Sequence, residues 1–177
     1  TKLLMLEVAK QYEFPLVHSG EKAMQSFGDF PYVPMRRLVA LFGVFLPLLV
    51  YAIGRKIGYG SALAFVPAVI VAADPALILY SRVMLPDMIL LAAVFAGLLL
   101  ALFSTKTSGM TRRLLGLTAI ILLGCAVATK WTALATLAVV VALFVRKKMW
   151  GMVAATFVVI PLIYVGSFLV FLQYFPN

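Results

Sequence analysis

The residues most able to do chemistry stand inside or beside long apolar runs: Arg36, Arg37, Asp74, Arg82, Asp87, Lys130 and Trp131. A charge within an apolar span is costly, which makes it a candidate for function by default. Cations of this kind suit a phosphate-bearing lipid, with Arg offering a planar fork and Lys a point charge. Arg36, Arg82 and Lys130 are therefore the candidate lipid-phosphate ligands. Asp74 and Asp87 are the candidate orienting groups for those cations or for a sugar hydroxyl. Each residue also has a plain structural reading. Arg36 and Arg37 could anchor a helix end, and Arg82 and Asp87 could pair across Pro86. Lys130 and Trp131 could be a snorkelling cation and an interfacial aromatic, and Asp74 could cap a segment starting at Pro75.

Other chemistries find no foothold. The chain has no GxxxxGK loop, no HExxH and no Cys/His cluster, so no metal site and no cofactor is expected in it; a divalent metal stays open for a longer protein. It has no acid-x-acid pair to hold a nucleotide-sugar through a metal, so a sugar donor would be lipid-linked. Cys125 is the only cysteine and lies in an apolar run, where a buried thiol is expected. His18 is the only histidine and is read as an exposed loop residue.

The elements that position these residues follow from composition. Of the 177 residues, 64% are hydrophobic and 12% charged, against about 45–50% and about 25% in ordinary soluble domains. That excludes a soluble domain, a disordered chain and a disulfide scaffold. The net charge of +9 does not signal nucleic acid, because residues 36–177 place twelve Lys or Arg and two acids in short clusters between apolar runs. The pattern predicts an all-α polytopic membrane bundle, with spans near 38–54, 61–80, 86–103, 114–129, 131–145 and 149–175. Residues 1–37 are read as an outer-face region containing an interfacial amphipathic helix over 1–14, and 38–177 as the transmembrane bundle.

The run 114–145 is the ambiguous one. As a single helix it would reach about 48 Å at about 1.5 Å per residue, against a hydrocarbon core of about 30 Å. Split at Lys130, it puts eight positives of the 55–56, 106–113 and 146–148 loops on one side, against Arg82 and Lys130 on the other. Unsplit, the count is five against four. The positive-inside rule favours the split and six spans, with residues 1–37, the 81–86 turn, Lys130 and the C-terminus on the outer face.

The chain has Gly28-Asp29-Phe30, then Arg36 followed by Ala40-Leu41-Phe42-Gly43, and a span ending Tyr51-Ala52-Ile53-Gly54-Arg55. Asp74-Pro75, Ser81-Arg82 and Asp87 follow, then Gly124 and Lys130-Trp131. In this order the motifs resemble those of the protein O-mannosyltransferases and related lipid-dependent glycosyltransferases of the GT-C class. Thr1-Lys2-Leu3-Leu4 looks like the stretch just after the family's His-Pro-Pro motif, so the chain is read as N-terminally truncated. The likeness runs from Thr1 to about Leu143, with two departures: a longer loop at Glu13–Gln25, and Pro86 where an apolar residue is commoner.

The resemblance implies a GT-C-like fold and transfer of a sugar, usually mannose, from a polyprenyl- or dolichyl-phosphate to a hydroxyl of a protein or glycan acceptor. It implies a catalytic acid upstream of Thr1. It also implies membrane lipids but no nucleic acid as partners, and a multi-pass protein of the plasma membrane in a prokaryote or the endoplasmic reticulum in a eukaryote. The rival reading is a transporter or a non-catalytic membrane subunit. An inverted repeat would favour it, and residues 38–103 and 114–172 show no convincing similarity.

Overall fold

The computed structural model describes residues 32–82 and 86–174; the expected interfacial helix at 1–14, the Gly28-Asp29-Phe30 motif and His18 lie outside them. The described residues are helical throughout apart from their turns. α1 is Tyr32–Ile57, α2 Ser61–Ala73, α3 Pro75–Arg82, α4 Asp87–Ser104 and α5 Gly109–Thr129. A single 3₁₀ turn, Trp131–Ala133, leads into α6, Leu134–Arg146, and α7 is Trp150–Tyr174.

α1 begins before the expected start at Leu38, because Pro34 falls in its first turn, where a missing N–H costs nothing. It ends with Arg55 and Lys56 beside its last carbonyls, the favoured end for cations. Gly58, at φ 121°, turns the chain there, in a backbone region that a side chain would disfavour. α2 and α3 form one apolar segment bent by 54° at Asp74. A residue before proline is pushed to extended backbone, and Asp74 adopts φ −66°, ψ 117°.

Helices in lipid gain nothing hydrophobic from one another, so close approach of small residues and dispersion must hold them. The contacts fit that need. A Cβ on Gly54 would lie 3.0 Å from Ala64 Cβ, on Gly97 2.9 Å from Leu123, and on Gly124 2.7 Å from Ile163. The buried cluster centres on α5, where Ala119, Ile120 and Leu123 are fully enclosed with Val140 and Phe144 of α6. Ser104 and Thr156, the buried hydroxyls, donate to the Ala101 and Met152 carbonyls of their own helices. Leu48, Ile70, Phe157 and Leu162 face outward, as a lipid-facing surface requires.

Among the described residues, four helices are long and apolar enough to cross a membrane, and the bent α2–α3 pair makes five. The remaining expected span, 131–145, is the short one. Residues 131–146 reach only about 24 Å, against about 30 Å of hydrocarbon. The described residues nevertheless run between the two ends of the bundle six times. Gly116 abuts Met152 and Gly124 abuts Ile163, so α5 and α7 run in the same direction and the segment between them must return. Cys125 corrects the expectation of a buried thiol: it is exposed on the outward face of α5, where an apolar run faces lipid rather than core.

Candidate functional site

The candidate residues collect at the end of the bundle where α1 begins and α5 closes. Arg36 and Arg37 are exposed in the first turns of α1. About 10 Å further along the helix, α1 meets its neighbours at Gly43. A Cβ there would lie 3.0 Å from Ser81 Cβ and 3.6 Å from Met88 Cε. A glycine at this point therefore lets the end of α3, which carries Arg82, and the start of α4, which carries Asp87, both lie against α1. Arg82 is the exposed last residue of α3.

Asp74 sits at the bend and works as a cap. Its Oδ1 accepts from Ala76 N–H at 2.8 Å and Leu77 N–H at 3.2 Å, which satisfies two of the unpaired donors at the start of α3. Pro75 takes the first helical position, where its missing N–H costs nothing. The plain structural reading of Asp74 thus accounts for its carboxylate.

Asp87 opens α4 and does not pair with Arg82. Its Oδ1 instead accepts from Lys130 Nζ at 2.6 Å. Lys130 closes α5 with extended backbone, φ −156°, ψ 131°, and the 3₁₀ turn follows at once. The pairing across Pro86 is corrected for a reason of chain direction: the antiparallel packing of α4 on α5 brings the start of one to the end of the other. Trp131 is 69% exposed and meets Tyr164 edge-to-face at 6.4 Å, in keeping with aromatics at a membrane interface.

The structure thus joins Asp87 directly to Lys130 and puts Arg36 and Arg82 at the same end of the bundle, while Asp74 is engaged with its own helix. Sequence reasoning missed Ser81 and Tyr164. Only Ser81 had a signal, as the neighbour of Arg82 in a quoted motif. No group of three or more His, Cys, Asp or Glu residues that could hold a metal occurs among the described residues.

The opposite end is purely cationic among the described residues, with Arg55, Lys56, Lys106, Arg112, Arg113, Arg146, Lys147 and Lys148. Lys106 Nζ donates to the Lys56 carbonyl, and the Lys56 ammonium lies 3.6 Å over the Phe103 ring. The two ends therefore differ in kind: one mixes cations with carboxylates, and the other carries cations alone.

Residues 4–177 match the family model described as dolichyl-phosphate-mannose-protein mannosyltransferase. Neither a curated protein nor a solved structure matches the chain.

Proposed function

The chain belongs to the dolichyl-phosphate-mannose-protein mannosyltransferase family, a family of membrane glycosyltransferases, and from this we propose that it transfers mannose from a polyprenyl- or dolichyl-phosphate to a hydroxyl of a protein. The observation that carries the reading is the family match over 4–177. The mixed-charge end of the bundle supports it by offering a place for the phosphate.

In the proposed reaction the bond between the sugar's anomeric carbon and the phosphate oxygen breaks. The acceptor oxygen bonds to that carbon, and its proton passes to a base. Negative charge then builds on the departing lipid phosphate, and fixed cations placed there in advance lower the barrier. Arg36 and Arg82 are proposed to bind that phosphate. Lys130 is proposed to join them while Asp87 fixes its position. Asp74 is assigned to the α3 cap and Asp87 to Lys130, so neither is assigned as the base, which we place upstream of Thr1. The reaction as written uses no cofactor. The protein is integral to a membrane; the proposed compartment is the plasma membrane in a prokaryote and the endoplasmic reticulum in a eukaryote.

The test offers radiolabelled mannosyl-phosphoryl-polyprenol and a Ser/Thr peptide to the natural full-length protein in detergent. Label is expected in the peptide. Solute uptake into vesicles, with no donor binding and no labelled peptide, would replace the transferase by a transporter.

A further inference from the structure

A groove of about 760 Å³ runs between α1 and α2, away from the mixed-charge end. Pro47, Leu48, Tyr51, Ser61, Phe65 and Val69 are among the residues lining it. Its walls are apolar except for two hydroxyl-bearing residues, and both stand toward the cationic end: Ser61 opens α2, and Tyr51 is one turn from Arg55.

Helical spacing extends this wall to a charge. Leu48, Tyr51 and Arg55 are three and four residues apart, so Arg55 continues the groove-facing stripe by one more turn. Arg55 is exposed, and its Nη1 donates to the Tyr59 carbonyl at 3.2 Å, which ties the guanidinium to the turn joining α1 to α2. The fork retains further N–H donors after that bond. Tyr59, half exposed in the same turn, is an aromatic of the kind that marks headgroup level.

We propose that this groove seats an acyl chain of an anionic phospholipid whose phosphate binds Arg55. The charge pattern selects the headgroup. Cations from three turns surround this end, and no carboxylate among the described residues is there to match the ammonium of a zwitterionic lipid. The site is separate from the proposed donor site, whose phosphate ligands lie at the other end of the bundle, and it stands whether or not the transferase reading holds.

The experiment equilibrates the full-length protein with vesicles of phosphatidylcholine and phosphatidylglycerol, then reads retained lipid by native mass spectrometry. Phosphatidylglycerol is expected to be retained in preference. Arg55→Gln should lower its retention several-fold, and Arg55→Lys should restore part of it. Ala62→Trp, which fills the groove, should displace the lipid; Ala62→Leu is the milder variant, read if the tryptophan prevents folding. Arg113→Gln removes the same charge at the same end but away from the groove, and should leave retention unchanged. Equal loss in Arg113→Gln and Arg55→Gln would reduce the effect to diffuse charge and overturn the site. Absence of any phosphatidylglycerol preference would overturn it as well. Displacement of phosphatidylglycerol by added polyprenyl phosphate would assign the groove to the donor's chain instead.

Discussion

Asp87 and Lys130 lie 43 positions apart in sequence and meet at 2.6 Å, the one opening α4 and the other closing α5. Each is placed where a helix dipole favours its sign, the carboxylate at a helix start and the ammonium at a helix end. The Lys130 side chain is 55% exposed, so the pair contributes about 1 kcal/mol or less to stability. Its larger effect is to fix where the ammonium sits.

The first prediction follows from that imbalance. Asp87→Asn should shift thermal unfolding in detergent only slightly, while mannosyl transfer by the full-length protein falls tenfold or more. The exchange Asp87→Lys with Lys130→Asp keeps a pair but sets each charge against its helix dipole, so it should lower the unfolding midpoint modestly and should not restore the transfer. Full recovery of transfer in the exchanged protein would reduce the pair to a strap between helices.

Asp74 gives the opposite expectation. Loss of an N-cap costs about 1 kcal/mol, and Asn or Ser can replace the cap where Ala cannot. Asp74→Ala should therefore lower the unfolding midpoint, Asp74→Asn should restore most of it, and both should transfer mannose at permissive temperature. A stable Asp74→Asn protein with no transfer would mean that the carboxylate acts in the chemistry.

Much of this was legible in the chain, for identifiable reasons. Apolar runs bounded by Gly, Pro and cations located the helices, and Asp-Pro marked a capped segment starting at Pro75, because those residue types act on the backbone directly; the 54° bend there was not read from the sequence. What stayed hidden was partner choice. Asp87 could be matched to Arg82 by proximity in sequence, whereas Lys130 reaches it only through the antiparallel packing of α4 on α5. Likewise Cys125 reads as core from its apolar neighbours, since an apolar run in a membrane helix does not say which face meets lipid. The groove beside Tyr51 is likewise a product of how α1 and α2 pack.

The proposed phosphate ligands predict a graded loss. A charge-assisted hydrogen bond contributes about 1.5–3 kcal/mol, so Arg36→Ala should weaken binding of polyprenyl phosphate roughly tenfold or more. Arg82→Ala should weaken it less. Arg36→Lys should recover only part, because an ammonium cannot make the paired contact of the guanidinium fork. Fluorescence titration of a labelled short-chain polyprenyl phosphate checks all three, and unchanged affinity in a folded Arg36→Ala protein would leave Arg36 as an anchor of α1.

Packing supplies a further prediction at Gly54. A Cβ there would lie 3.0 Å from Ala64 Cβ and 3.3 Å from its Cα, so relief requires α1 and α2 to move apart. Overpacking of this kind costs about 1–3 kcal/mol. Gly54→Ala should lower the unfolding midpoint measurably, and Gly54→Leu should lower it further. Ala62→Ser, on the exposed side of α2, should do neither.

The last prediction concerns residues 131–146, which are too short to cross an undistorted bilayer by length alone yet must return the chain. The contacts fix the argument. Gly116 lies against Met152 and Gly124 against Ile163, so α5 and α7 ascend together. Trp131 meets Tyr164 near one end, and Met152 packs on Gly116 near the other. Between those levels the chain descends, with local thinning of the bilayer making up the difference from about 24 Å. Cysteines at Lys56, Thr107 and Lys147 should then react with a membrane-impermeant thiol reagent from one side, and a cysteine at Thr132 from the other. Cys125 is exposed on α5 and is first replaced by Ala, so that its own reaction cannot be mistaken for signal. Labelling of positions 107 and 147 from opposite sides would show that residues 109–146 cross once, and would move Lys130 from the bundle's end to the middle of the membrane.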